Sequence, residues 1–428
     1  MTTRVRASLT LIVAVAMMSL AGCDHYNCST GANFGGGCSA SGSGISSSGG
    51  GSTGSGGGSI VALTYYVSNN EIGSLDLSSS GTTNTLEDTP NFVLPTLPAG
   101  YTNSAIVIAQ KQFLYVPYAS TSASPSLYAW SIDGSTGALT VMAGSPFSVP
   151  DVAGIASSSQ PMHSITTDPT GTFLYIADAT DKRIDAFQIN STSGVPTPVP
   201  GSPFSASIGP WNLAVDGLGH YLYATQGTAS GEGVQVEAFT LNSTTGALSN
   251  GTTMSTLNMW QLHGEPLGKY MIGVDGLTGE TGDNKPADPN VYVFSIGSGG
   301  ALTQVGKFPT ASGNGPTGVV VHPSGTFVYD FSVSTLTNFD GPLDGFALDP
   351  SSGALTPLAG SPFTGGGAFT SPDGGHFDQS GTYLFVHAGS AIGVFNIDPS
   401  TGIPTEPTQP VGVGSGAVIY PWAVTDPQ

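Results

Sequence analysis

The sequence predicts an all-β fold: a seven-bladed β-propeller with four antiparallel strands per blade, its ring closed when the C-terminal strand completes the N-terminal blade. Three observations carry this. The chain holds 62 Gly and 31 Pro among 428 residues, too many helix breakers for a helical domain. One strand-and-turn phrase recurs at near-equal spacing. The last segment matches the one strand that the first repeat lacks.

Charge and composition exclude other classes. Hydrophobic residues are 39% and charged ones only 8%, the reverse of the mixture that keeps a chain disordered. Lys plus Arg number 8 against 28 Asp plus Glu, a net charge of -20, which repels a phosphate backbone. No nucleic-acid partner is expected. The three cysteines all precede residue 39, so no disulfide framework supports the fold and the stability must come from a packed core.

Residues 1–22 read as a signal peptide, with Arg4 and Arg6 ahead of an apolar run from Leu9 to Leu20. Such a run rises about 18 Å as a helix, short of a bilayer core of about 30 Å. The order Leu20-Ala21-Gly22-Cys23 resembles the lipobox of bacterial lipoproteins. That resemblance implies a diacylglycerol on the Cys23 thiol and a partner in the membrane, reached from the periplasmic face or the cell surface. Each buried methylene contributes about 0.8 kcal/mol, so two or three acyl chains anchor durably. The alternative is an ordinary secretory signal with a chance cysteine. Residues 23–59 then form a tether, nearly all Gly and Ser from Thr30 to Ser59, with a coil reach of about 30 Å. Cys28 and Cys38 either pair or stay as exposed thiols.

Residues 60–428 carry the repeats. The phrases LYAWSIDGSTGALT (127–140), IDAFQINSTSGVPT (184–197), VEAFTLNSTTGALS (236–249), VYVFSIGSGGALT (291–303), LDGFALDPSSGALT (343–356) and IGVFNIDPSTGIPT (392–405) follow a weaker first copy at 72–83. Their equivalent large residues, Leu75, Trp130, Phe187, Phe239, Phe294, Phe346 and Phe395, lie 49 to 57 residues apart. Alternation of apolar and polar residues gives each phrase the period of a strand, ended by a Ser/Thr/Gly turn. A second phrase precedes it, as in DPTGTFLYIAD (168–178) and DQSGTYLFVHA (378–388): a tight turn, then an apolar strand. A short innermost strand such as NLAV (212–215) comes before that turn, and Gly-Ser-Pro-Phe segments fill an outer edge where Pro is tolerated. Four strands repeated seven times make a propeller. ALTYYVSN (62–69) matches a second strand without an innermost one, and YPWAVTDP (420–427) matches the missing strand. Pairing them closes the ring.

These phrases, and above all QPMHSITTDPTGTFLYIADATDKRIDAF (160–187), resemble the seven-bladed propeller lactonase family, which includes 6-phosphogluconolactonase-like and muconate-lactonising enzymes. The resemblance spans about residues 60–428. It implies a catalytic His on one blade, then an Arg and a Glu on the next, because lactone chemistry needs a proton carrier and a cation for the carboxylate or oxyanion. His163, five residues before the turn residue Asp168, fits the family's His. At the same offset before Asp216 stands Trp211 where active members carry Arg. Asn212 stands where they tend to have a second His, and the Glu falls at Gly227, with Gln226 beside it. Past the signal peptide the one arginine is Arg183, adjacent to Lys182 in a hairpin read as a solvated turn. Without charged partners, His163 also reads as a residue hydrogen-bonded across the channel.

The same offset gathers a second set. Trp211, Trp260 and Trp422 fall near the start of innermost strands, with Asn103, His163, Thr317 and Asp373 as ring neighbours. An array of indoles around a funnel stacks on sugar rings or other flat ligands, unless it only wedges the blades apart. A small molecule or carbohydrate at this mouth, or a protein on the rim loops, is the expected partner. His322 takes the place of a turn Asp, and His220, His263, His376 and His387 lack metal-ligand spacing. The loop at 276–290 brings Glu280, Asp283 and Asp288 into no known calcium pattern. No metal or cofactor is expected. Two functions remain open: a binding module with a degenerate catalytic site, or a lactone hydrolase using His163 as general base.

Overall fold

The computed structural model describes residues 59–68, 71–79, 84–89, 106–120, 123–149, 162–227, 233–249, 251–276, 288–333, 342–363, 372–388, 391–405, 411–412 and 423–425. Each repeat folds into one antiparallel sheet whose strands lie in sequence order, and among the described residues there are seven such sheets. In the third blade, for example, Phe173–Asp178 pairs with Met162–Thr167 on its inner side and Arg183–Ile189 on its outer side. The anchors Leu75, Trp130, Phe187, Phe239, Phe294, Phe346 and Phe395 are all buried. Truncating one such Phe to Ala costs about 3–5 kcal/mol.

The innermost strands are Val107–Ala109, Met162–Thr167, Asn212–Val215, Gln261–Gly264, Gly315–Val321, Pro372–Phe377 and Ala423–Thr425. Each lies against the next all the way round, and the last lies against the first. Closure follows the expected register: Leu63, Thr64 and Tyr65 of the first blade pair with Thr425, Val424 and Ala423. The apolar cores sit between blades, not within them. Tyr65 and Ile72 of blade one pack with Leu114 and Trp130 of blade two, and Leu75 and Leu77 pack with Phe385 and Val394 of blade seven. A single sheet has no interior of its own, so every blade depends on both neighbours for burial.

The repeated turns explain the repeated polar letters. After the innermost strands of blades three, four, five and seven an acid holds the turn with its carboxylate: Asp168 accepts from the Phe173 amide at 2.6 Å, and Asp216 from the Tyr221 amide at 2.5 Å. Glu265 serves blade five and Asp378 blade seven in the same way. His322, the one imidazole in this role, lies within 2.6 Å of the Ser324 hydroxyl and 2.9 Å of the Gly381 carbonyl of the next blade.

The Gly-Ser-Pro-Phe segments differ from the sequence expectation. The outer strand is Leu139–Val141 in blade two and Pro196–Pro198 in blade three, and Gly-Ser-Pro breaks it before Phe147 or Phe204 resumes pairing with the third strand. The serine is the reason for the break. Its hydroxyl accepts the third-strand amide that the interrupted edge would leave open, Ser145 from Ala129 and Ser202 from Ala186, both at 2.9 Å.

A tyrosine latch joins neighbouring blades. From the second strand of one blade, a Tyr hydroxyl donates to the carbonyl of the turn glycine in the next: Tyr65 to Gly137 at 2.6 Å, Tyr175 to Gly246 at 3.0 Å, Tyr329 to Gly402 at 2.5 Å, and Tyr115 to Gly194. Burial pushes all four phenols well above their usual range. Glycine is required there twice over. Its φ is near +70° at Gly137 and Gly246, and a Cβ on Gly246 would lie 2.3 Å from the Phe173 ring. The Ser298–Gly300 turn of blade five is one residue shorter than the others. The equivalent tyrosine of blade four, Tyr223, is fully buried and its hydroxyl has no hydrogen-bond partner.

Candidate functional site

Antiparallel order fixes two ends to the channel. The innermost strands start at the mouth and end at the Asp turns on the opposite face, while the hairpins between second and third strands return to the mouth. Trp211 and Trp260 lie at that start. Their amides extend the inner ladder by one residue, donating to Thr225 O at 2.7 Å and Val274 O at 2.8 Å. The two half-buried indoles meet with ring centroids 5.7 Å apart and planes tilted by 58°. Asn212 Nδ2 at 2.9 Å and Thr225 Oγ1 at 2.7 Å both donate to the Trp260 carbonyl, fixing the strand that carries the second ring. Beside them Gln235 Nε2 donates to Gln226 Oε1 at 2.6 Å. Offset from the turn acid therefore brings Trp211, Trp260 and Asn212 together, and Gln226 lies on the adjoining second strand of the same blade.

The remaining candidates divide by location. His163 lies on the innermost strand of blade three and Asp373 on that of blade seven, and their side chains lie outside the described ones. Asn103, Trp422 and Cys23 lie outside the described residues, as do Glu280 and Asp283. Thr317 is half-buried, and its hydroxyl donates to Phe331 O at 2.9 Å.

Arg183 overturns the reading of a solvated turn. Its guanidinium is buried at the mouth end of blade three and ion-paired with Asp178 at 3.1 Å, Asp181 at 3.4 Å and Asp185 at 3.4 Å. Strand pairing causes this. Asp178 is the cross-strand partner of Arg183, and Asp185 follows on the same strand face. Burial pushes the Asp185 carboxyl up to about 7 and raises Asp178, with the guanidinium opposing both shifts. Three aspartates surround one cation, so the guanidinium is paired within the hairpin and is not available to a substrate anion. Only Lys182, exposed at the tip, fits the original expectation.

Other acids missed from sequence share this end. In the third strand, two residues before the anchor Phe, Glu237 accepts the Ser207 amide at 2.9 Å and Asp344 the Ser312 amide at 2.9 Å, each fastening the connection that enters its blade. Asp330, the cross-strand partner of Asp344, is fully buried with one oxygen unpartnered, and its pKa rises far above the usual range from burial and then from Asp344. In blade five, burial and the neighbouring Asp288 push Asp275 up to about 7. Inside the channel, His263 and His376 occupy the same register on the innermost strands of blades five and seven, about 10 Å past the Trp level. Desolvation lowers both, and His263 helps hold His376 down to about 4. The signal was present in the two-residue offset before Glu265 and Asp378. Among the described residues no group of three or more His, Cys, Asp or Glu is placed to hold a metal ion.

Residues 151–288 match the family model described as lactonase, 7-bladed beta-propeller. The match runs from the connection entering blade three to the long loop of blade five, and so contains His163, Arg183 and both mouth tryptophans. A candidate 6-phosphogluconolactonase of Bacteroides uniformis superimposes with a TM-score of 0.59 at 16% identity, over 84% of this chain and 99% of that one. A periplasmic gluconolactonase of Pseudomonas aeruginosa gives 0.57 at 15% identity, over 84% and 98%. A candidate 6-phosphogluconolactonase of Bacteroides fragilis gives 0.58 at 16%, over 86% and 98%. At these identities the likeness is one of fold. No curated protein matches the chain in sequence.

Proposed function

We propose that this is an extracytoplasmic, lipid-anchored protein whose lactonase-like propeller works as a binding module at the channel mouth, on a degenerate catalytic site. The observation that carries this is the state of Arg183, the single arginine past the signal peptide, locked among three aspartates. Lactone opening at this mouth needs a cation for the carboxylate, and a Trp stands where active relatives place one. The innermost strands carry no Lys or Arg among the described residues. A Pseudomonas propeller named as a periplasmic gluconolactonase supports an extracytoplasmic setting, and Cys23 is the residue that would bear the lipid. Loss of metabolic acyl labelling in Cys23→Ala checks the anchor.

The second reading is a lactone hydrolase with His163 as general base, favoured by the family match that contains this residue. Purified protein assayed on a panel of sugar lactones separates the two. No turnover above the rate of a His163→Ala variant is expected; turnover abolished by that substitution establishes the hydrolase instead.

A further inference from the structure

We propose that the wedge of Trp211 and Trp260 binds a small organic cation, an alkylated ammonium group; this rests on the mouth being a ligand site. The indole faces supply the first term. Two half-buried rings stand side by side with centroids 5.7 Å apart and planes tilted by 58°, and the negative face of an indole attracts a cation most strongly when water is partly excluded.

The surroundings supply the second. Blade three, on one side of blade four, sets three carboxylates against the one guanidinium of Arg183. Blade five, on the other side, brings Asp275 and Asp288 to its mouth end, close enough for Asp288 to disfavour ionisation of Asp275. Of the described lysines, Lys111 and Lys269 belong to turns on the opposite face. Lys182, exposed at the mouth-end hairpin of blade three, and Lys307, exposed on the outer strand of blade five and close enough to favour ionisation of Asp275, are outnumbered with Arg183 by the five aspartates at the mouth end of these two blades. In a chain of net charge -20, the wedge sits in a negative field that favours cations and repels carboxylates and phosphates.

The described polar groups beside the wedge argue against a neutral sugar. Sugar recognition needs directed donors and acceptors beside the stacking face. Asn212 and Thr225 donate to the Trp260 carbonyl, and the Gln226 and Gln235 amides bond to each other. These groups hold the wedge in place, whereas a quaternary ammonium asks for no hydrogen bond.

Isothermal titration of the full chain with choline chloride tests this, alongside 3,3-dimethylbutanol as the neutral isostere, glucose and gluconate. Choline is expected to bind about tenfold or more tightly than the isostere. Trp211→Ala and Trp260→Ala should abolish binding with the melting temperature held. Should either variant unfold, Trp211→Phe, which keeps a ring at the mouth, should still weaken choline severalfold more than the isostere. Equal affinity for choline and its isostere overturns the cation, as does glucose binding without choline, and both leave the binding module standing. Lactone turnover without binding of any of these compounds overturns both readings.

Discussion

The tyrosine latch allows one substitution to be tested at two equivalent sites with opposite expected signs. Tyr175→Phe removes a hydroxyl that donates to Gly246 O at 3.0 Å, and leaves a buried carbonyl without its partner, a loss of about 1–3 kcal/mol. Tyr223→Phe removes a fully buried hydroxyl that has no partner. Its desolvation cost disappears, so the change is neutral or stabilising by up to about 2 kcal/mol. Unfolding entropy near 2.1 cal/mol/K per residue gives a domain of this length roughly 0.8 kcal/mol/K, so 1 kcal/mol moves the melting temperature by only about 1.3 °C. Differential scanning calorimetry should then show Tyr175→Phe melting about 1–4 °C lower, and Tyr223→Phe unchanged or up to about 3 °C higher. Urea midpoints at constant slope provide the second reading. Equal losses in both variants would refute the reasoning, because they would show that ring packing and not the hydroxyl carries the latch.

Two further outcomes follow from burial and closure. Truncation before Tyr420 removes the strand that pairs with Leu63–Tyr65 and exposes the inner edge of blade one; a broadened or multiphasic melt is expected, and a melt identical to the full chain would exclude the closure. Asp330→Asn should stabilise the protein at neutral and alkaline pH. The folded pKa of this carboxyl is raised, so the native state holds more protons than the unfolded state above about pH 4, and stability falls as pH rises through that window. The amide keeps an acceptor for the Ser332 hydroxyl, 2.8 Å away, and removes that slope; melting curves of both proteins from pH 4 to 9 that remain parallel would count against it.

The blades were legible because strand period and turn chemistry are local. A large residue at Phe187 or Phe346, followed by a Ser/Thr-Gly turn, marks a buried third strand wherever it occurs, and the offset from Asp216 and Glu265 located the Trp pair without coordinates. What could not be read depended on pairing across a hairpin. Asp178, Asp181 and Asp185 converge on Arg183 only when the strands on either side of the turn come together, and a Lys-Arg dipeptide in a turn looks solvated from sequence. The split outer strand was hidden for a related reason. Proline marked the edge correctly, but the serine that closes the gap acts on Ala129 or Ala186, 16 residues earlier. His263 and His376 were dismissed on metal-ligand spacing, a rule for neighbours along one chain segment, whereas they approach each other from the innermost strands of two separate blades, five and seven.

The pairing of Tyr65 with Ala423 also sets an order of events in biosynthesis. The first strand to leave the ribosome must wait for the last, so no growing intermediate possesses a finished perimeter. Contacts of such sequence separation form late and slowly, and the waiting edge is open to mispairing throughout. A chain built this way keeps one open edge until its last strand is made, and only then does the circle shut.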